Sequence, residues 1–189
     1  MRKASEKDKD LVIDILSKSF DTNKSINFVV QQDSKRLKRI KKLMEYSFFM
    51  GLTFGEVFIS DCGKSCSILL YPYKKKTTLA SFFWDLKLVF GVIGIKNVKK
   101  VLSRESQLKG LHPKVPFIHL WYVGVYPDFQ NKGLGSKLMK EIYTFSKNKK
   151  LPILLETSTE RNIPFYKSLG YKIIDKLDLN YTLYIFKKD

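Results

Sequence analysis

One segment restricts the fold of this chain more than any other. From Phe117 to Tyr126 the residues are apolar almost without interruption; Pro127 stops the run, and a short loop carrying Gly133 and Gly135 follows. Leu134, Leu138, Ile142 and Phe145 then recur at helical spacing. A run of that kind predicts a strand buried on both faces, because a half-exposed strand would alternate with polar residues. Strand, tight loop and amphipathic helix in that order predict an α/β domain whose helices pack on a sheet.

The flanking sequence extends the pattern. Leu11, Ile15, Leu16 and Phe20 form one helical stripe behind a possible cap at Ser5, and the basic segment from about Lys35 to Met50 forms a second helix. Glu56–Ser60 and Ser67–Tyr71 predict strands joined by a turn over Asp61–Ser65, which places Cys62 and Cys66 at a hairpin tip. Leu79, Phe82, Phe83, Leu86, Phe90 and Ile93 repeat at i, i+3 and i+4, so residues 77–110 predict a helical insert, interrupted at Gly91 and Gly94. Downstream, Ile153–Thr157 reads as a buried strand and Ile163–Leu169 as a short helix stopped by Gly170. Tyr171–Ile174 and Tyr181–Phe186 close the chain as strands. The order is two helices, two strands, an insert, then βαβαββ, and 189 residues predict a single domain, 1–189.

Composition narrows the partners. With 35 Lys+Arg against 18 Asp+Glu the formal charge is +17, a sign that attracts phosphates, nucleic acids and anionic membranes. The excess is spread along the chain, however. Its densest run, Lys35–Met44, has Leu37, Ile40 and Met44 at helical spacing and no aromatic to stack on a base, which favours a solvated helix face and argues against nucleic acid. Met1–Lys7 has no apolar run behind its charges, so no secretory signal is expected. The most apolar segment, Leu79–Ile95, contains Asp85 and Lys87, so no membrane span is expected either. Two cysteines read as free thiols without the further ligands of a zinc site, and the expectation is a cytoplasmic, metal-free protein.

The chemistry concentrates in the loop after Tyr126. Glycines at 133 and 135 let the backbone come close to a ligand, and the amides at the start of the following helix, aided by its dipole, suit a pyrophosphate. Lys132 adds a charge. The spacing is neither that of a dinucleotide-binding fingerprint nor that of a Walker loop.

Gln130-x-x-Gly133-x-Gly135 after an apolar strand resembles motif A of the GNAT N-acetyltransferases. Leu155-Glu156-Thr157-Ser158, with Arg161-Asn162, Pro164-Phe165-Tyr166 and Leu169-Gly170-Tyr171, resembles that family's motif B, most closely its puromycin N-acetyltransferase-like branch. The resemblance covers about Phe117 to Ile174. It implies a mixed, mostly antiparallel sheet flanked by helices, with the helical insert between the third and fourth strands. It also implies acetyl-CoA as acetyl donor. The strand backbone of Val123, Gly124 and Val125 would meet the acetyl group and pantetheine arm. The amides of Asn131, Lys132, Gly133, Leu134, Gly135 and Ser136 would hold the pyrophosphate, Gln130 would belong to the same cofactor site, and Asn162 would touch the pantetheine or position the next helix. Asn131 stands where a glycine is common in the family, and asparagine tolerates left-handed backbone.

For catalysis, Tyr166 is the expected general acid toward the thiolate leaving group. Glu156 is the leading base, with a pKa expected to rise against an apolar wall, and His119 is second. The expected acceptor is the amine of a small molecule, attacking the thioester directly; Phe82, Phe83, Trp84 and Phe90 could cap its pocket, and Asp85, Glu156 and Glu160 could supply acidity. A protein or peptide amine, a non-catalytic nucleic-acid-binding module, and a peripheral membrane enzyme docking through Leu79–Ile95 stay open. Oligomeric state is not legible in these residues.

Overall fold

The computed structural model describes all residues, 1–189. Seven strands form one sheet: β1 (Arg2–Lys3), β2 (Gly55–Ile59), β3 (Ser65–Leu70), β4 (Ile118–Val125), β5 (Ile153–Thr157), β6 (Lys172–Asp178) and β7 (Thr182–Lys188). Their order is β1-β2-β3-β4-β5-β7-β6. Every neighbouring pair is antiparallel except β4 and β5, the two strands linked by the predicted strand–loop–helix unit, whose crossover helix permits parallel pairing.

Period-two alternation explains how both faces become core. On β2, Val57 and Ile59 join the cluster of α1 (Lys9–Ser19), α2 (Lys24–Val29) and α3 (Arg36–Phe54), while Phe58 between them points into the cluster under α6 (Leu134–Lys149) and α7 (Ile163–Ser168). A third cluster, with Leu108, Leu154, Leu183 and Ile185, extends the α1–α3 side beneath α5 (Val98–Leu111). α3 runs into β2 without a connecting loop. Gly55 makes this possible, because a Cβ there would lie 1.8 Å from the Leu69 carbonyl oxygen.

The insert between β3 and β4 comprises α4 (Leu79–Leu88), a π-type turn over Val89–Ile93 and α5, with Gly94 at φ 75° stopping the turn. Three local expectations change. β1 is too short to show in sequence and exists by pairing with β2. α2 went unread because its six residues hold one buried side chain; its start is fixed by the Asn23 Oδ1, which accepts the Ile26 N–H at 3.0 Å. Cys66 is not at the hairpin tip: it lies in β3 and is fully buried, leaving Cys62 exposed in the turn.

Candidate active site

β4 and β5 pair only at Ile118↔Ile153 and His119↔Leu154 and then separate. On its other edge β4 carries a bulge: Ile68 faces Tyr122 and Leu69 faces Leu120, so Trp121 is the extra residue. The strands therefore open into a cleft whose floor is the sheet. A cavity of about 550 Å³ occupies it, lined along β4 by His119 to Val123 and along β5 by Leu155, Glu156 and Thr157.

Beyond Val125 the chain makes the expected loop. Asn131 has φ 59° and Gly133 φ 77°, and Gly133 caps α6. No carbonyl or side chain of the protein accepts from the amides of Asn131 through Ser136; the first amide of this stretch to find a partner is Lys137, on the Gly133 carbonyl at 2.9 Å. A run of free donors at the N-terminus of a sixteen-residue helix has the chemistry to receive an anion. A Cβ on Gly133 would meet nothing within 4 Å, so its glycine answers to the positive φ and to whatever approaches from outside. Gly124 differs: a Cβ there would stand 2.8 Å from Leu16 Cδ2, so α1 seats directly on this strand. The Val125 carbonyl is taken by Ser19 Oγ (2.8 Å) and Gln130 Nε2 (3.2 Å), which leaves only its N–H, not its oxygen, for a ligand.

In the cavity wall Glu156 bridges two imidazoles. Its Oε2 is 2.6 Å from His119 Nε2 and its Oε1 2.8 Å from His112 Nε2, with all three side chains largely buried. Burial pushes the carboxyl pKa up, but the charge of His119 and the two hydrogen bonds outweigh it and hold Glu156 well below the usual range. This overturns the raised value expected from an apolar wall alone. Burial pulls His119 down, and Glu156 more than reverses that, raising it above 6.5. Beside them the buried Arg104 donates to Tyr181 Oη (3.0 Å) and Ser25 Oγ (2.6 Å) and pairs with Glu105. Tyr166 lines the same cavity and packs against Phe165, Tyr171 and Phe186. Burial pushes its hydroxyl up to about 12, and that hydroxyl makes no hydrogen bond within the protein. The Asn162 side chain also lines the cavity without a protein partner.

The structure thus brings His119, Val123, Glu156, Asn162 and Tyr166 to one cavity and sets the 130–136 loop at the far end of β4. The aromatic cap does not form. Phe82, Phe83 and Phe90 face solvent, and Trp84 stacks on Phe49 at 4.7 Å. The insert lines the cavity instead with Leu88, Val89, Val101 and Leu102. Asp85 reaches the lining, accepting from Tyr46 Oη at 2.7 Å, whereas Glu160 does not. His112, Arg104 and Glu105 escaped sequence reasoning. His112 precedes Pro113 and reads as punctuation, and the Arg104–Glu105 pair reads as helix surface.

Residues 87–173 match the family model described as acetyltransferase (GNAT) domain. The fold agrees with solved structures along the whole chain. One, described as histone acetyltransferase HPA2 and related acetyltransferase from Corynebacterium glutamicum, is 16% identical, with a TM-score of 0.71 over 98% of this chain and 93% of that one. The C-terminal condensation domain of Ebony, in complex with β-alanyl-dopamine, is 10% identical, with a TM-score of 0.70 over 99% and 96%. The paia N-acetyltransferase of Thermoplasma acidophilum, in complex with coenzyme A, is 13% identical, with a TM-score of 0.56 over 99% and 97%. Among curated proteins, one of Dictyostelium discoideum named "Probable serine/threonine-protein kinase" is 21% identical over 91% of this chain; the chain spans only 20% of that protein's length. The chain shares the fold of these structures, a seven-stranded, mostly antiparallel sheet flanked by helices, and its residues 87–173 are similar to the acetyltransferase (GNAT) domain.

Proposed function

We propose that the chain is an acetyl-CoA-dependent N-acetyltransferase acting on the amine of a small molecule with an apolar or aromatic body. The observation that carries this reading is the run of free amides from Asn131 to Ser136, set at the end of the strand whose other half lines the cavity. Acetyl-CoA would supply the activated acetyl thioester. The amides and Lys132 would hold its pyrophosphate, and Asn162 and the β4 edge its pantetheine arm. The coenzyme A complex of the Thermoplasma relative supports the same ligand here.

Within the cavity, Glu156 accepts from the Nε2 of both imidazoles, which leaves Nδ1 of neutral His119 as the proton acceptor for the incoming ammonium. Glu156 is then a positioning residue that raises the basicity of His119 rather than the base itself. Tyr166 donates toward the departing thiolate, its free hydroxyl having no competing partner. The mainly apolar lining and the motif B likeness to the puromycin N-acetyltransferase branch support an apolar amine, as does the β-alanyl-dopamine held by the Ebony domain.

Calorimetric titration with acetyl-CoA, using coenzyme A without its 3′-phosphate as a control for bulk charge attraction, tests the donor. Saturable one-to-one binding that persists at moderate salt supports the reading, and an amine panel followed by thiol release then ranks acceptors. Absence of binding, or binding that vanishes with salt, removes it.

A further inference from the structure

The apolar stripe of α4 faces outward. Leu79, Phe82, Phe83 and Leu86 are 82, 50, 61 and 37% exposed, and Phe90 is 63% exposed. These positions share one side of the helix and its continuation, while the opposite side turns inward through buried Ser81 and through Trp84, which stacks on α3. Ile95 and Leu102, 71 and 62% exposed, carry the surface across to α5. Single exposed leucines are ordinary; a contiguous aromatic and aliphatic stripe is a binding surface.

The charge around this stripe has one sign. Lys74 to Lys76 precede α4, Lys87 lies on it, and Lys96, Lys99 and Lys100 follow, all exposed. From residue 74 to 111 the only acids are Asp85 and Glu105, and both are engaged, with Tyr46 and Arg104 respectively.

We infer that α4, the turn after it and the start of α5 form a docking surface for an anionic lipid bilayer. The exposed phenylalanines and leucines would enter the headgroup–acyl boundary while the lysines reach lipid phosphates. A protein partner fits less well, because protein interfaces are depleted in lysine and carry directional hydrogen bonds, and this surface offers mostly hydrocarbon and ammonium groups. Leu102 and Lys75 belong both to this surface and to the cavity lining, so docking brings the cavity near the membrane. No helix is long and apolar enough to cross one.

Co-sedimentation of the full chain with vesicles tests this. Phosphatidylcholine vesicles with about 30 mol% phosphatidylserine are expected to bind at least about tenfold more protein than phosphatidylcholine alone, and binding should fall between about 0.1 and 0.5 M salt. The Phe83→Asp, Phe90→Asp double variant should bind about tenfold less with an unchanged circular dichroism spectrum, and Lys96→Glu, Lys99→Glu should remove the preference for anionic lipid. Equal binding by wild type and double variant, no preference for anionic vesicles, or a lipid-free dimer that the double variant dissociates would overturn the inference.

Discussion

Glu156 illustrates how far a side chain's neighbours decide its chemistry. An isolated carboxylate against apolar residues resists ionisation, but imidazoles at 2.6 and 2.8 Å keep this one an anion. The pair also sets a pH dependence. The depressed carboxyl contributes stability above its ordinary 4.5, lost as pH falls through its folded value. The raised imidazole contributes stability fully below its ordinary 6.5, lost as pH rises through its folded value. Glu156→Gln should therefore cost about 1–3 kcal/mol, most clearly between those two values and less at higher pH, as read by thermal melts across the range. In the catalytic reading, wild-type kcat/KM rises with pH through the elevated His119 value. The Gln variant should move that limb to lower pH, because the Glu156 charge that chiefly counters burial at His119 is then gone; a purely structural role for Glu156 would leave the limb in place. Tyr166→Phe should keep coenzyme A affinity while lowering kcat about 10²-fold, and unchanged turnover would assign proton donation to solvent.

Among the elements, the loop from Asn131 to Ser136 was the most legible in sequence, since its backbone path needs only local chemistry: small residues, a tolerated left-handed turn at Asn131 and the start of a helix. Its glycines separate experimentally. A Cβ at Gly135 would make ordinary contacts of 3.7 and 3.9 Å with Val125 and Phe165, so Gly135→Ala should leave stability unchanged, and any loss of coenzyme A affinity would report the ligand's approach. Gly133→Ala should cost about 1–2 kcal/mol through its left-handed φ, whereas Gly133→Glu should add a charge against the pyrophosphate and weaken acetyl-CoA further than Ala does; equal calorimetric affinities of the two variants would remove the loop from the binding site. α4 taught the opposite lesson. Its i, i+3, i+4 spacing predicts an amphipathic helix, and the helix forms, but periodicity states only that apolar residues share a side, not which side meets the core. Ser81 and Trp84 pack inward and the phenylalanines face out.

At the scale of the molecule, a ligand bridging loop and cavity should stabilise the whole domain. At a hundredfold excess over Kd, coenzyme A would add about 2.7 kcal/mol, a rise in Tm of about 5–10 °C for a chain of this size, which differential scanning fluorimetry would read. The sequence by itself determined the β4–loop–α6 unit, the buried strand at Ile153–Thr157 and the alternation that gives the sheet two apolar faces, because each depends on neighbours within a few residues. Tertiary structure alone decided the rest. The separation of β4 from β5 beyond His119 arises from pairing between distant segments. The meeting of Glu156 with His112 and His119 joins residues 44 and 37 positions apart, and the outward face of α4 depends on where α3 presents Phe49 and Tyr46. Local propensity acts along the chain, whereas a cavity and its charges are made by elements that share no local sequence.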